Sequence, residues 1–241
     1  MGSVTIIGGG GGGGPSDDLA TYRSDFRVAY YDCADDGTAG LQDSEGTNHL
    51  NELGSSVATF GNTGVNGDCI GLTGNNDQFS LQSSNICPDL TQDVAVSMWL
   101  KHASTPVKNI AIFSASPTTF TNPNWFLQFA STDTNRCGFQ GVTVANTHPG
   151  GDTINDDAWH HHLFILQRAV DGDSMCRCYV NGKLVATQSY TANIDLSSGA
   201  FVLGRLAGDS VIVALVDEVE IFMGVNAAPS DKVIAAMAAE Y

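Results

Sequence analysis

Residues 159–189 read WHHHLFILQRAVDGDSMCRCYVNGKLVATQS. In the first ten, Trp159, His161, Leu163 and Ile165 fall on one side of an extended chain, the period-2 signature of a strand. The next apolar runs, residues 175–180 and 184–189, flank Asn181-Gly182. That dipeptide suits a two-residue hairpin turn because both positions need positive φ. Three strands, the last two joined by a tight turn, predict an antiparallel sheet. Cys176 and Cys178 are two apart, so on a strand they share a face as small apolar groups.

The same grammar extends outward from this stretch. In residues 94–101 (VAVSMWLK), Val94, Val96, Met98 and Leu100 alternate with Ala95, Ser97, Trp99 and Lys101. Residues 125–130 (WFLQFA) group Trp125, Leu127 and Phe129, and residues 201–206 and 211–222 supply two further strands. Clusters of Gly, Asn, Asp, Ser and Pro separate the runs. A short helix closes the chain, with Ser230 as N-cap and Val233, Ile234 and Met237 facing inward. The pattern predicts an all-β protein: an antiparallel β-sandwich or jelly roll with one C-terminal helix.

Composition bounds the function. A chain of 241 residues that is 42% hydrophobic can bury one large core. Its formal net charge is −16, from 26 acidic against 10 basic residues, which disfavours nucleic acid and anionic membranes. The six cysteines have no metal-like spacing and are expected to be free thiols. Residues 1–7 carry no positive charge and too short an apolar core for a signal peptide, and no stretch has the length of a membrane span.

The N-terminus is of another kind. Ser3, Val4, Thr5, Ile6 and Ile7 are β-prone, and an unbroken glycine run from Gly8 to Gly14 leads to Pro15. Glycine backbone without side chains is flexible when free and suited to close packing when held. The division expected is an N-terminal arm over residues 1–25 that anchors by strand addition, and a sandwich over residues 26–241.

Several elements in this order resemble the concanavalin A-like, laminin-G-like jelly-roll family. They are the apolar strand at residues 28–32 with acidic loops around Asp35-Asp36-Gly37 and Asp43-Ser44-Glu45-Gly46, then Val96-Ser97-Met98-Trp99. Asp157-Ala158-Trp159-His160-His161 follows, then Tyr179-Val180-Asn181-Gly182 and Val216-Asp217-Glu218-Val219-Glu220-Ile221. The resemblance covers residues 26–241 and implies the sandwich fold. It extends to lectins, adhesion modules, glycoside hydrolases and virion proteins, so the fold alone leaves the activity open.

Of candidate chemistry, the acids Asp217, Glu218 and Glu220 come first. A retaining glycosidase needs two carboxyls about 5–5.5 Å apart, and Glu218 and Glu220 on one strand face have that reach. The family's hydrolases place a Glu-x-Asp-x-(x)-Glu set on one face. In a regular strand Asp217 here points the other way, inward with Val213, Leu215, Val219 and Ile221, so no catalytic residue is assigned. A buried Asp217 needs backbone donors or a cation. The resemblance offers a structural Ca²⁺ shared with Asp32, Asp35 or Asp36, although no consecutive calcium loop is present. In the run His160, His161 and His162, the first and last share a strand face, but no third ligand is tied to them by spacing, so no zinc or other cofactor is assigned. Trp125 and Tyr190 stand near loops and are the aromatic candidates for glycan contact.

These readings converge on a non-enzymatic structural or attachment protein of a virus, expected to be a bacteriophage. Such a capsid decoration, fibre or tail-associated protein would be an oligomer held to other virion proteins by the arm, its sandwich facing host-surface glycans. The alternatives are a lectin-like adhesion module at a cell surface and a divergent glycoside hydrolase.

Overall fold

A computed structural model of the chain describes residues 18–34, 40–53, 59–72, 80–83, 86, 88–89, 91–101, 110–114, 124–129, 134–139, 142–147, 156–168, 174–190, 200–204 and 214–241. The elements are α1 (Leu19–Phe26), β1 (Arg27–Tyr31), β2 (Asn51–Leu53), β3 (Thr59–Thr63), β4 (Asp68–Leu72), β5 (Ser80–Ser83), β6 (Asp93–Lys101), β7 (Ile110–Ser114) and β8 (Asn124–Phe129), followed by β9 (Thr134–Phe139), β10 (Val142–Thr147), β11 (Trp159–Gln167), β12 (Ser174–Val180), β13 (Lys183–Tyr190), β14 (Ala200–Gly204), β15 (Ala214–Gly224) and α2 (Asp231–Ala238). One sheet runs β13-β12-β11-β6-β15-β4-β3, with β1 also paired to β15; the other runs β10-β9-β8-β7-β14-β5-β2. The described pairings are antiparallel. This is the antiparallel β-sandwich that the strand pattern predicts. Asn181 and Gly182 take φ of +47° and +74°, the positive values required of the β12–β13 turn.

Among the described residues, two clusters of buried apolar side chains hold the layers together. Between the sheets lie Ala29, Tyr31, Ile70, Val94, Val96, Met98, Leu100, Phe164, Leu166, Phe201, Val219 and Ile221. On the other face of the first sheet, Ala95, Leu163, Ile165, Tyr179 and Phe222 pack under both helices, against Tyr22, Val233, Ile234 and Met237. The architecture is therefore three layers, helices over sheet over sheet. Strands β6, β11 and β15 are covered on both faces, which explains their nearly unbroken burial.

The C-terminal helix forms as the sequence predicts: the Ser230 hydroxyl accepts from the Val233 N–H. The N-terminal helix is an addition. The expected boundary between residues 25 and 26 falls inside α1, because residues 19–25 belong to the packed body. Asp18 caps α1 by accepting from the Thr21 N–H at 2.9 Å. Leu19, Tyr22 and Phe26, at spacings of three and four, form one apolar stripe against the second core. The Tyr22 hydroxyl donates to the Ala227 carbonyl at 2.6 Å, and its ring lies 4.8 Å from that of Phe222. Arm residues Ser3, Val4, Thr5, Ile6, Ile7, Gly8, Gly14 and Pro15 lie outside the described residues.

Candidate functional site

The acidic strand departs from regular alternation. Along β15, Asp217 pairs with Trp99 and Glu220 with Ser97, so three steps on β15 match two on β6. The extra residue is a β-bulge, and Glu218 occupies it at φ +51°. Before the bulge Ala214 and Val216 face the inter-sheet core; after it Val219 and Ile221 do. The expectation that Asp217 points inward with Val219, away from the glutamates, is therefore corrected. The bulge reverses the parity and leaves Asp217, Glu218 and Glu220 together toward the helix side. Its position follows from pairing: β4 takes the edge of β15 up to Val216, and β1 takes the same edge from Val219.

Each acid is tied to internal donors. Asp217 is fully buried and accepts from the backbone N–H groups of Val65 at 2.8 Å, Asn66 at 3.3 Å and Glu218 at 2.9 Å. Backbone donors thus supply the partners that burial demands. Of the acids considered as calcium partners, Asp32 caps Ala34 and meets Ser44, whereas Asp35 and Asp36 lie outside the described residues. Glu218 accepts from the Tyr30 hydroxyl at 2.7 Å, the Tyr241 hydroxyl at 3.0 Å and the Asn66 amide at 3.0 Å. These bonds offset the left-handed backbone, which costs about 1–3 kcal/mol. Glu220 takes two bonds from Arg23, at 2.8 and 2.9 Å, and a third from Arg27 at 2.6 Å.

The arrangement fastens the helix layer and the last residues to the sheet. Arg23 also holds Glu240, at 2.7 and 2.5 Å, and the Tyr241 ring meets Trp99 edge-on at 6.0 Å. The three acids are 0%, 5% and 3% exposed. Among the described residues all three carboxyls are buried and engaged by internal donors, a geometry that fits a structural fastening.

Burial pushes the Asp217 carboxyl up to about 6 against the lowering effect of its backbone donors. The folded protein thus holds a proton there at pH values where the unfolded chain, titrating near 3.8, has lost it. The sign follows: this group's contribution to stability weakens as pH rises from about 4 to about 6, and levels off above. A carbon-detected NMR titration of Asp217 is expected to show a midpoint near 6. A midpoint below 4 would mean that the three N–H donors outweigh desolvation.

The histidines divide among separate roles. His160 bonds Asp156 at 3.0 Å and Asn181 at 2.9 Å, steadying the β12–β13 turn. His162 lies 6.3 Å from Phe164, ring to ring. His161 Nε2 meets the Ser97 hydroxyl at 2.8 Å, a contact that sequence spacing does not reveal across 64 residues. It resembles a nucleophile and its base, but His161 is 1% and Ser97 3% exposed. Burial also pulls His161 down to about 4. At that burial the pair joins neighbouring strands β6 and β11 by a hydrogen bond within the sheet. Among the described residues no three His, Cys, Asp or Glu gather in a way that could hold a metal ion. Cys33, Cys69, Cys176 and Cys178 are buried free thiols, and burial pushes Cys69 up to about 11, so it stays protonated.

The aromatic candidates stand on strands. Trp125 pairs with Phe113, which pairs with Phe201, a residue buried between the sheets. Tyr190 pairs with Ser174, which is buried. The side chains of Trp125 and Tyr190 lie outside the described residues. An open groove of about 680 Å³ does lie within them, beside α1, lined by Leu19, Ala20, Arg23, Ser24, Arg27 and Glu45. Its Glu45 side is shaped by Asp43, which accepts from the N–H groups of Tyr30, Glu45 and Asn48 at 3.0–3.1 Å. Arg27 reaches from beneath to ion-pair with Glu45, and its guanidinium sits 4.9 Å above the Tyr30 ring.

Residues 73–229, well over half of the chain, match the family model for the concanavalin A-like lectin/glucanases superfamily. No curated protein matches the sequence. Among solved structures, the binding domain of Paraclostridial Mosquitocidal Protein 1 superposes with a TM-score of 0.67 at 15% identity, over 90% of this chain and 52% of that one. The botulinum neurotoxin serotype D ligand-binding domain, solved with N-acetylneuraminic acid, gives 0.64 at 12% identity, over 90% and 52%. A botulinum neurotoxin type C structure, described with cell entry dependent on two ganglioside molecules, gives 0.63 at 14%, over 92% and 53%. The chain therefore spans about half the length of these toxin domains. At such identities the likeness is one of fold.

Proposed function

We propose that this chain, which belongs to the concanavalin A-like lectin/glucanases superfamily, is a non-catalytic attachment module that recognises carbohydrate. The observation that carries this reading is the closed acidic face. The carboxylates that could have acted on a glycosidic bond are buried under α1 and the C-terminal residues and spent on internal bonds. What remains for a ligand is surface, suited to recognition. The fold supports the reading too, since two of the similar solved structures above are binding domains and two are described with sialic acid or gangliosides.

In the fuller form of the proposal the module sits on a virus particle, most naturally a phage. The arm through Gly14 and Pro15 docks into neighbouring virion proteins and the sandwich faces outward as part of an oligomer. The β-prone residues 3–7 and the seven glycines support an anchoring role, because strand addition needs backbone free to pair.

A glycan array tests the first part, with the intact chain displayed multivalently so that weak sites register. Selective capture of one glycan class is the expected result; an array blank at high protein concentration contradicts it. Co-sedimentation with particles tests the second: the full chain is expected to pellet with them, and a chain lacking residues 1–17 to stay in solution. Equal pelleting of both would remove the arm from the account.

A further inference from the structure

Resting on the carbohydrate reading, we infer that the groove beside α1 is the glycan site and that it takes a neutral sugar in preference to an acidic one. At about 680 Å³ the open groove has room for one or two sugar rings and the water around them. Its polar wall is fixed in advance. Arg23 and Arg27 lie four residues apart and are both clamped from below by Glu220, whose side chain is only 4% exposed. Four of the five Arg23 N–H groups go to Glu220 and Glu240, and the two Arg27 Nη atoms give one each to Glu220 and Glu45, so the few Nη–H groups left over are held in place without the entropy loss of ordering a free side chain. Glu45, 43% exposed, adds an acceptor on the same rim, and the exposed Ser24 adds a hydroxyl that both donates and accepts. Neighbouring sugar hydroxyls donate and accept together, so a rim offering both kinds of group matches them. Leu19 and Ala20 give an apolar strip for the C–H face of a ring.

Charge selects the class. Two guanidiniums at the groove are already opposed by three carboxylates, Glu45, Glu220 and Glu240, and the chain carries a formal −16. A ligand carboxylate would add repulsion with no unneutralised cation to meet it. Neutral hydroxyls gain charge-assisted hydrogen bonds and meet no such repulsion.

The test compares the wild-type chain with Ala20→Trp and Ser24→Trp on an array of neutral, amino and sialylated glycans. Both positions are exposed on α1 and take no part in the Arg–Glu clamp, so melting temperatures are expected to stay within about 2 °C. Wild type is expected to favour neutral glycans, each variant to lose at least about tenfold in affinity, and amide NMR shifts on adding the best neutral glycan to centre on residues 19–27. Unchanged affinity in both variants would overturn the groove assignment while leaving carbohydrate recognition standing. Capture of sialylated glycans alone would overturn the charge argument. If wild type binds no glycan, this inference falls together with the reading it rests on.

Discussion

Truncation of Phe222 to alanine is expected to remove about 4 kcal/mol of stability, the largest effect of a single side chain on the sheet face beneath the helices. Phe222 is fully buried, lies 4.8 Å from the Tyr22 ring, and packs in the cluster that holds Val233, Ile234 and Met237. Its neighbours in that cluster come from α1, α2 and the sheet, so closing the space would shift a helix, and a cavity term is expected on top of the lost transfer energy. For a chain of this size the loss corresponds to a fall in Tm of about 10 °C. Hydrogen exchange should locate it: amides of α1 are expected to lose protection first, ahead of β6 and β11. A loss below about 1 kcal/mol, or uniform loss of protection, would mean that the helices decorate the sandwich without completing its core.

The second large effect concerns Glu220. Replacing it with glutamine keeps the shape and removes the charge that clamps Arg23 and Arg27. Breaking a buried pair by deleting one partner costs about 3–5 kcal/mol. Both arginines are about one-fifth exposed and keep Glu240 and Glu45 as outer partners, so the lower end, about 3 kcal/mol, is expected. Urea unfolding should show the midpoint falling with an unchanged slope. A double-mutant cycle with Arg23→Met should return a coupling above about 1 kcal/mol. Zero coupling would show that the contact between α1 and β15 carries no net energy.

Much of this architecture is legible along the chain because it is local. Alternation in residues 94–101 puts Val94, Val96, Met98 and Leu100 into the core as read. Asn181-Gly182 marks its own turn, and Ser230 caps its own helix. The acidic strand is different. The side to which Asp217 turns depends on a bulge created where β4 gives way to β1 on the same edge, and those partners lie about 150 and 190 positions earlier. No feature of Val216-Asp217-Glu218-Val219 announces a left-handed glutamate. Arg23 and Glu220 are separated by 197 residues, so their pairing is equally silent in the sequence. α1 did leave a signal, Asp18 before Leu19, Tyr22 and Phe26, but it follows directly on a glycine tract that reads as linker. The groove needs both that helix and the fold of the 43–46 loop.

These corrections change the standing of the acids. Sequence alternation removes them as a catalytic set for having the wrong parity. The bulge restores the parity, and it is burial and full hydrogen bonding that remove them instead. Had Glu218 and Glu220 faced open solvent on the same strand, a hydrolase would have been the better reading.

Binding and turnover are therefore best followed together on one sample. The intact protein is incubated with the glycan it captures best, and both the bound fraction and newly formed reducing ends are followed over many hours. Saturable capture with the glycan recovered whole, unchanged between wild type and Glu218→Gln, is the predicted result. Release of reducing ends that disappears in Glu218→Gln would contradict it, and would make the fastened acids a catalytic centre after all.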